Sequence, residues 1–307
     1  MAEMCTDRLE ALLNHFPVRA RLFHSGALCG ITDFSGAGEG GQMHLLRAGA
    51  MEVIHPGRPA MQVNVPSLLL YPRPVARRFV TDTQCGASLA CAELHFEGGA
   101  ANPVAGALPD VVCLPLDDID GASPVLTLLF DEAFGSNCGR HPLIDRLFEV
   151  VLIQVLRHLM ESGQVGGGML AGLSHPKLRS ALVAMHDEPA RERSLDELAA
   201  ISGMSRSVFA GTFRRVVGCT PGAYLQGWRV RLAQQALRRG LPLKAIAIDV
   251  GYGSEAALSR AFKAQSGMTP RDWRQAAFES LKDGSNEPTR VDVLSPPSQP
   301  PRSGNAA

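Results

Sequence analysis

The spacing of apolar positions changes twice along this 307-residue chain. Residues 3–16 place leucines at helical spacing, which predicts a short amphipathic helix. Over residues 19–116, short apolar runs recur about every ten residues between glycines and prolines, a pattern typical of an all-β sandwich or barrel. Helical spacing returns over residues 141–162 and continues in short helices to the end of the ordered sequence. The pattern predicts an α+β chain, with an N-terminal β-barrel flanked by helices and a C-terminal all-α domain.

Composition suggests where these parts meet. The segment from Gly163 to Gly168 contains four glycines and directly follows the predicted helix over residues 141–162. This composition predicts a flexible linker. The last stretch is rich in proline and serine and poor in large apolar residues, so we expect it to be disordered. The predicted order is a β-rich domain, a linker, a helical domain and a tail, over residues 1–165, 166–174, 175–282 and 283–307.

The net charge of zero hides an uneven distribution. Residues 1–170 carry 11 arginines, no lysine and 18 acidic residues, a net charge of −7. Residues 171–282 carry 13 arginines, 4 lysines and 9 acidic residues, a net charge of +8. This asymmetry indicates that only the C-terminal half meets a polyanion.

The basic half contains an internal repeat. Two segments offset by 49 positions share a serine, a phenylalanine, a glycine and a Thr-Pro pair, namely Ser205, Phe213, Gly218, Thr220 and Pro221 with Ser254, Phe262, Gly267, Thr269 and Pro270. A short amphipathic stretch and a glycine-containing turn precede each copy. This arrangement predicts two helix-turn-helix units, and the stretch from Pro221 to Arg239 predicts one long helix between them.

The second helix of each unit has a predicted core face and a predicted outward face. Ser194 with Glu197 forms the pattern of a capping box on the first supporting helix, and Ser205 and Ser254 are expected N-caps of the second helices. The expected buried positions are Val208, Phe209, Thr212, Phe213 and Val216, then Leu258, Ala261 and Phe262. The expected outward positions are Arg206, Ser207, Ala210, Gly211, Arg214 and Arg215, then Glu255, Ala256, Ser259, Arg260 and Lys263. A major groove admits one such helix, and flanking arginine or lysine side chains neutralise phosphates.

Residues 175–275 resemble the DNA-binding domain of the AraC/XylS family of bacterial transcription regulators. The resemblance rests on Gly203-Met-Ser205, Phe209, Phe213, Gly218, Thr220-Pro221, Val250-Gly251-Tyr252, Phe262-Lys263 and Gly267-Met-Thr-Pro270. It implies that both second helices enter successive major-groove segments of double-stranded DNA, and that RNA polymerase is a partner of an activator. By position, the base-facing residues are Ser207, Ala210 and Gly211 in the first unit and Ala256, Ala257, Ser259 and Arg260 in the second.

Gly211 departs from the polar side chain that many relatives of this kind carry there. A glycine inside a helix is less favourable than alanine by about 1 kcal/mol, and neither Gly211 nor Ala210 has hydrogen-bonding reach. We therefore expect the first unit to recognise DNA shape or thymine methyl groups, with Arg206 as its polar contact. Arg260 is the stronger candidate for direct contact with a base edge.

The N-terminal half resembles the cupin-like sensor domain of one branch of this family. The supporting segments are Arg21–Gly30, the strand around His44, Leu68–Pro72 and Cys91–Phe96. The resemblance implies a small-molecule effector and a homodimer, with the 141–162 helix as the expected dimer interface. The paired histidines of a metal-bearing cupin are absent. His95 and Glu97 share one strand face, so a metal-dependent enzyme remains an alternative, but no catalytic residue, metal ligand set or cofactor motif is predicted.

Seven cysteines occur without any CxxC spacing. With no visible secretory leader and no apolar run of membrane-spanning length, we expect a cytoplasmic protein with free thiols and no membrane partner. Cys29, Cys85 and Cys91 fall in the β-rich half, where they are small buried hydrophobic residues or, alternatively, an oxidant-sensing set like that of some cupin-bearing relatives.

Overall fold

The computed structural model describes residues 7–36, 40–99, 102–283 and 292–293. The tail predicted to be disordered lies outside the described residues, apart from residue 283 and the pair 292–293. Residues 1–6, which belong to the first predicted helix, lie outside them too. The described part of that helix is α1 (Glu10–His15), shorter than the predicted 3–16.

Two antiparallel five-stranded sheets face each other among the described residues, built from the N-terminal half except for one edge strand at residues 292–293. The first sheet has the order β1-β8-β3-β6-β9 and the second the order β10-β2-β7-β4-β5. The strands are β1 (Val18–Leu28), β2 (Ile31–Phe34), β3 (Gly41–Ala48), β4 (Met51–Ile54), β5 (Met61–Val63), β6 (Ser67–Tyr71), β7 (Arg77–Thr81), β8 (Ala87–Phe96), β9 (Val112–Pro115) and β10 (Asp292–Val293). The predicted β-rich domain is confirmed.

Three of these strands, β2, β7 and β9, have little β-strand signal in their own residues. β7 begins with two arginines directly after a proline-rich turn, β2 spans only four residues, and β9 is equally short. Each is defined by its neighbours more than by its own composition: Phe34 of β2 pairs with Arg77 of β7, and β9 pairs with β6. Cross-strand pairing of this kind decides strand formation where propensity is weak.

Helices cover one face of the first sheet and form the C-terminal half. They are α2 (Pro103–Ala107), α3 (Ser123–Phe134), α4 (Arg140–Glu161), α5 (Met169–Ser174), α6 (Leu178–Asp187), α7 (Leu195–Ile201), α8 (Arg206–Val217), α9 (Pro221–Arg238), α10 (Leu243–Asp249), α11 (Glu255–Ser266) and α12 (Pro270–Asp283). α4 packs against α3 and β1. No helix among the described residues is both long and apolar enough to cross a bilayer.

The segment between the two halves is more ordered than a glycine-rich linker implies. Val165 is buried, the backbone N–H of Gly168 donates to the carbonyl of Val216 at 3.1 Å, and α5 follows at once with Leu170 and Leu173 fully buried. The C-terminal part of the predicted connection over residues 166–174 is thus the helix α5, whose apolar side chains give it a packed face.

Candidate DNA interface

The first helix-turn-helix unit consists of α7 and α8. The hydroxyl of Ser194 accepts from the Glu197 N–H at 3.2 Å, and the Glu197 carboxylate accepts from the Ser194 N–H at 2.7 Å, so the predicted capping box is confirmed. These hydrogen bonds lower the pKa of Glu197. Gly203 makes the turn with a φ of +59°. Ser205 occupies the predicted N-cap position of α8, although its hydroxyl makes no capping bond.

The exposed face of α8 holds the outward residues that the sequence predicted and one that it did not. Arg206, Ser207, Gly211, Arg214 and Arg215 are exposed, and Ala210 is partly exposed. Val208 was predicted to be buried, and that prediction was wrong: its side chain is 54% exposed, while Val216 is half-buried and Val217 is buried. The buried stripe runs through Phe209, Phe213 and Val217, which rotates Val208 onto the face of Gly211.

The second unit, α10 and α11, repeats this geometry with a longer turn. Gly203 and Gly251 hold equivalent positions, 48 residues apart, whereas the N-cap serines Ser205 and Ser254 are 49 apart. One extra residue, Gly253, therefore lies between the turn and the second helix of this unit. The Ser254 hydroxyl accepts from the Ala257 N–H at 3.2 Å, so the predicted cap is confirmed.

The outward face of α11 carries two unpaired cations. Glu255, Ala256, Arg260 and Lys263 are exposed, Ala257 and Ser259 are partly exposed, and the predicted core residues Leu258, Ala261 and Phe262 are buried. Within the described part of the chain, neither Arg260 nor Lys263 forms an ion pair. Arg206 of the first unit differs, since it lies 3.3 Å from Asp196. Both partners are exposed, so this pair is weak.

Arg229 on α9 ties the two units together, a role that the sequence did not reveal. Its guanidinium donates to the carbonyls of Pro189 at 2.6 Å, Ala190 at 3.4 Å and Gly251 at 3.4 Å. The first two carbonyls precede α7 and the third lies in the turn before α11. A cleft of about 620 Å³ opens beside it, lined in part by Arg229 and Tyr252. Backbone carbonyl partners leave no sequence signal, so this contact could not be predicted.

A cluster of aromatic rings around Trp228 on α9 joins the helical half to the N-terminal half. Trp228 is fully buried and stacks on His186 with ring centroids 4.0 Å apart. It also meets Phe16 edge-on at 5.2 Å. Burial lowers the pKa of His186 to about 3, so this ring is neutral, and its Nε2 lies 2.7 Å from the hydroxyl of Tyr224.

A polar contact lies beside the ring cluster. Glu97, directly after β8, accepts hydrogen bonds from Gln235 at 3.0 Å and from Arg239 at 3.1 Å. Both donors are at the C-terminal end of α9. The sequence allows a metal site at His95 and Glu97, but Glu97 faces the helical half while His95 is exposed. Among the described residues, no group of three or more His, Cys, Asp or Glu side chains is arranged to hold a metal ion.

The three cysteines proposed as sensors do not form one cluster. Cys91 is 2% exposed in the middle of β8, and burial raises the pKa of its thiol. Cys29 is half-buried and Cys85 exposed at the far end of the same sheet. A Cβ added to Gly86 would lie 2.5 Å from the Cys29 sulfur, so that sulfur lies over the residue next to Cys85. Cys91 is four residues beyond the start of β8, about 14 Å along the strand.

Comparisons with known proteins match this two-part architecture. A cupin family profile matches residues 7–161, and a helix-turn-helix domain profile matches residues 198–276. An AraC-like transcription regulator of Streptomyces antibioticus is 41% identical over 172 residues, 55% of this chain and 57% of that protein. The activator RclR of Escherichia coli, described as RCS-specific, is 27% identical over 237 residues, 76% of this chain and 83% of its own length.

Two solved structures align with this chain over different shares of its length. ToxT of Vibrio cholerae O395 aligns over 85% of this chain and 98% of its own, with 11% identity and a TM-score of 0.37. The DNA-binding domain of AdpA, crystallised with a target DNA, aligns over 36% of this chain and all of its own, with 27% identity and a TM-score of 0.34. The chain spans about half the length of the first curated relatives that it matches. The two profile matches, with the AraC-like relatives, show that this chain belongs to the AraC/XylS family and carries an N-terminal cupin domain.

Proposed function

We propose that this protein is a sequence-specific regulator of transcription that binds double-stranded DNA through α8 and α11. The observation that carries the proposal is the pair of capped helix-turn-helix units on one basic half, each with an exposed second helix. The 18-residue α9 between them is about 27 Å long. That length is comparable to the roughly 34 Å between successive major-groove segments on one side of a duplex.

The two units contribute differently to recognition. Arg260 is exposed and unpaired within the described residues, so its guanidinium is available for a bidentate contact with a guanine. The face of α8 instead presents Ser207, Val208 and Gly211. An exposed valine beside a glycine suits contact with a thymine methyl group, so Val208 supports the expectation that the first unit recognises apolar groups or DNA shape.

Replacing Arg260 by alanine is expected to weaken specific binding ten- to hundredfold, since one bidentate pair is worth about 1–3 kcal/mol. Purified wild type is first used to select a site from a random duplex pool. Affinity for that site and for its single-base variants is then measured by fluorescence anisotropy at fixed salt. We expect the preference at one base position to relax in the variant.

The matched control is Arg58→Ala, which removes the same charge from an exposed position between β4 and β5, outside α4 and both second helices. It is expected to leave both affinity and preference unchanged. A wild type that enriches no sequence from the pool would overturn the proposed function. A uniform loss at all positions in the Arg260 variant would instead make that residue a phosphate contact.

Regulation through the N-terminal half is part of the proposal. A small-molecule effector bound there would change the Glu97 contacts with Gln235 and Arg239, because Glu97 directly follows β8. The two donors lie on the helix that joins the DNA-binding units. Activation of transcription and contact with RNA polymerase are proposed from the family alone.

We further propose that the protein is a homodimer that pairs through α4. Leu143 and Val150 are both 39% exposed and lie two turns apart on one face of that helix. Val150→Glu is expected to convert the full chain from dimer to monomer in sedimentation equilibrium at micromolar concentration. Ile248→Glu, an exposed apolar position on α10, serves as the control. A monomeric wild type would refute the dimer.

Oxidant sensing is the second candidate function. The sulfur of Cys29 lies over Gly86, the neighbour of Cys85, so this pair supports a thiol-based response better than buried Cys91 does. The relative RclR is described as RCS-specific. A disulfide between Cys29 and Cys85 would join the end of β1 to the start of β8.

A further inference from the structure

A buried arginine lies between the two sheets of the cupin domain. Arg77 on β7 is 5% exposed. Its Nη1 donates to the carbonyl of Val75 at 2.9 Å, and its Nη2 contacts the amide oxygen of Gln42 and lies 2.6 Å from Nε2 of His44. The guanidinium carbon lies 3.9 Å from the ring centroid of Tyr71. This cation is therefore held by neutral groups.

No carboxylate of the described residues forms an ion pair with Arg77. Its strand neighbour Arg78 points to the opposite face and pairs with Asp33 at 2.7 Å. Burial lowers the pKa of Arg77 to about 10, which leaves the side chain charged at neutral pH. A buried guanidinium normally needs an anion, because neutral acceptors do not compensate for the lost hydration of the charge.

Unused hydrogen-bond donors surround this charge. Nε of Arg77, Nδ1 of His44 and the hydroxyl of Thr32 are buried without a partner. Burial and the neighbouring Arg77 hold the pKa of His44 well below its usual range, so the ring is neutral. With Nε2 facing the Arg77 donor, its proton is on Nδ1.

These donors come together from both sheets. Thr32 pairs with Phe79 on β7, two residues from Arg77, and both face the space between the sheets. His44 approaches from the other sheet, and its ring centroid is 5.0 Å from that of Phe79 and 5.1 Å from that of Phe34. Arg77 and His44, whose nearest nitrogens are 2.6 Å apart, and the buried Thr32 thus face the interior between the two sheets, among aromatic rings.

The rings alone do not account for the arrangement. A cation–π contact stabilises the guanidinium charge, but it provides no acceptor for Nε of Arg77 or Nδ1 of His44. The acceptor that fits a planar guanidinium and adjacent N–H donors is a planar carboxylate. The crowded rings of Phe34, Phe79 and Tyr71 restrict it to a small one.

We propose that the space at Arg77, His44 and Thr32 is a binding site for a small carboxylate such as formate or acetate. The carboxylate accepts from Nε of Arg77 and from the hydroxyl of Thr32, while Nε2 of His44 stays in contact with Nη2 of Arg77. This inference rests on the proposed function, because it names the chemical class of effector that the N-terminal domain would bind.

The test is calorimetric melting of the full chain with acetate, formate, chloride or acetamide at constant ionic strength. Acetate or formate at a hundredfold excess over its dissociation constant is expected to raise the Tm of the wild type by about 5 °C or more. Chloride and acetamide are expected to leave it unchanged. Arg77→Met should abolish the shift and still fold, because it replaces a buried, unpaired cation with a neutral side chain of similar length.

Arg78→Met is the matched control, since it removes the neighbouring charge from the exposed face of the same strand. It is expected to keep the full response. An equal shift in Arg77→Met, or no shift of the wild type with acetate and formate, would overturn the carboxylate site. The melting response needs no DNA, so failure of the wild type to bind DNA would count against the proposed function alone.

Discussion

Replacing Trp228 by alanine is expected to lower the free energy of unfolding by about 3–5 kcal/mol, the range for truncating a large aromatic side chain in a packed core. Trp228 is fully buried, stacks on His186 and contacts Phe16, so its loss opens a cavity where α9, α6 and the end of α1 meet. Urea denaturation followed by circular dichroism measures the change.

Two further variants isolate the cause. Trp228→Phe keeps a six-membered ring in the core and removes the rest of the indole, including Nε1, which is buried without a partner, so it should cost less than half as much as alanine. Gln226→Ala, at an exposed position on the same helix, should stay within about 0.5 kcal/mol of the wild type. A loss below about 1 kcal/mol for Trp228→Ala would mean that the halves do not pack through this ring.

Local patterns predicted the helical half well. The supporting and second helices of each unit, the long helix between them and two of the three expected caps follow from periodicity and capping chemistry, which act over a few residues. Local patterns of this kind could not predict the contacts of Trp228 and Glu97. They depend on which faces of α1, β8 and α9 meet, and this is decided by packing between residues more than a hundred positions apart.

In the candidate sites, too, local patterns predict some residues and only the fold reveals others. The exposure of Arg260 and Lys263 could be predicted because the spacing of apolar residues along α11 shows clearly which face is buried. The burial of Val208 was predicted wrongly because this apolar residue lies at the edge of the buried stripe of α8. At such an edge only the rotation of the helix about its axis decides whether a side chain is buried. Arg77 gave no signal at all, since a charged residue in a short run beside a proline-rich turn resembles surface.

Strand register explains why Arg77 is buried. The period of two along β7 sends Arg77 and Phe79 to the interior and Arg78 to solvent. That period becomes visible only once β2 and β4 are known to flank this strand. The residue that carries the proposed carboxylate site is therefore found from the fold and not from its own composition.

Gly251→Ala is expected to destabilise the protein by about 2–5 kcal/mol, and the equivalent Gly203→Ala by only about 1–2 kcal/mol. Both glycines have left-handed backbones, with φ of +83° and +59°. A Cβ on Gly251 would lie 2.6 Å from the Cα and carbonyl oxygen of Ala190, whereas a Cβ on Gly203 would meet nothing within 4 Å. The difference in the free energy of unfolding between the two variants therefore measures the effect of the close approach at Ala190. Urea denaturation of both variants gives this difference.

The backbone at Ala190 cannot easily move aside, because Arg229 holds its carbonyl and those of Pro189 and Gly251. Strain at Gly251 should therefore displace α11 and reduce affinity for the selected DNA site more than Gly203→Ala does. Equal losses of stability for the two alanine variants would contradict the close approach at Ala190. Equal losses of DNA affinity, with unequal stability, would show that the turn at Gly251 supports the fold without positioning α11 for the groove.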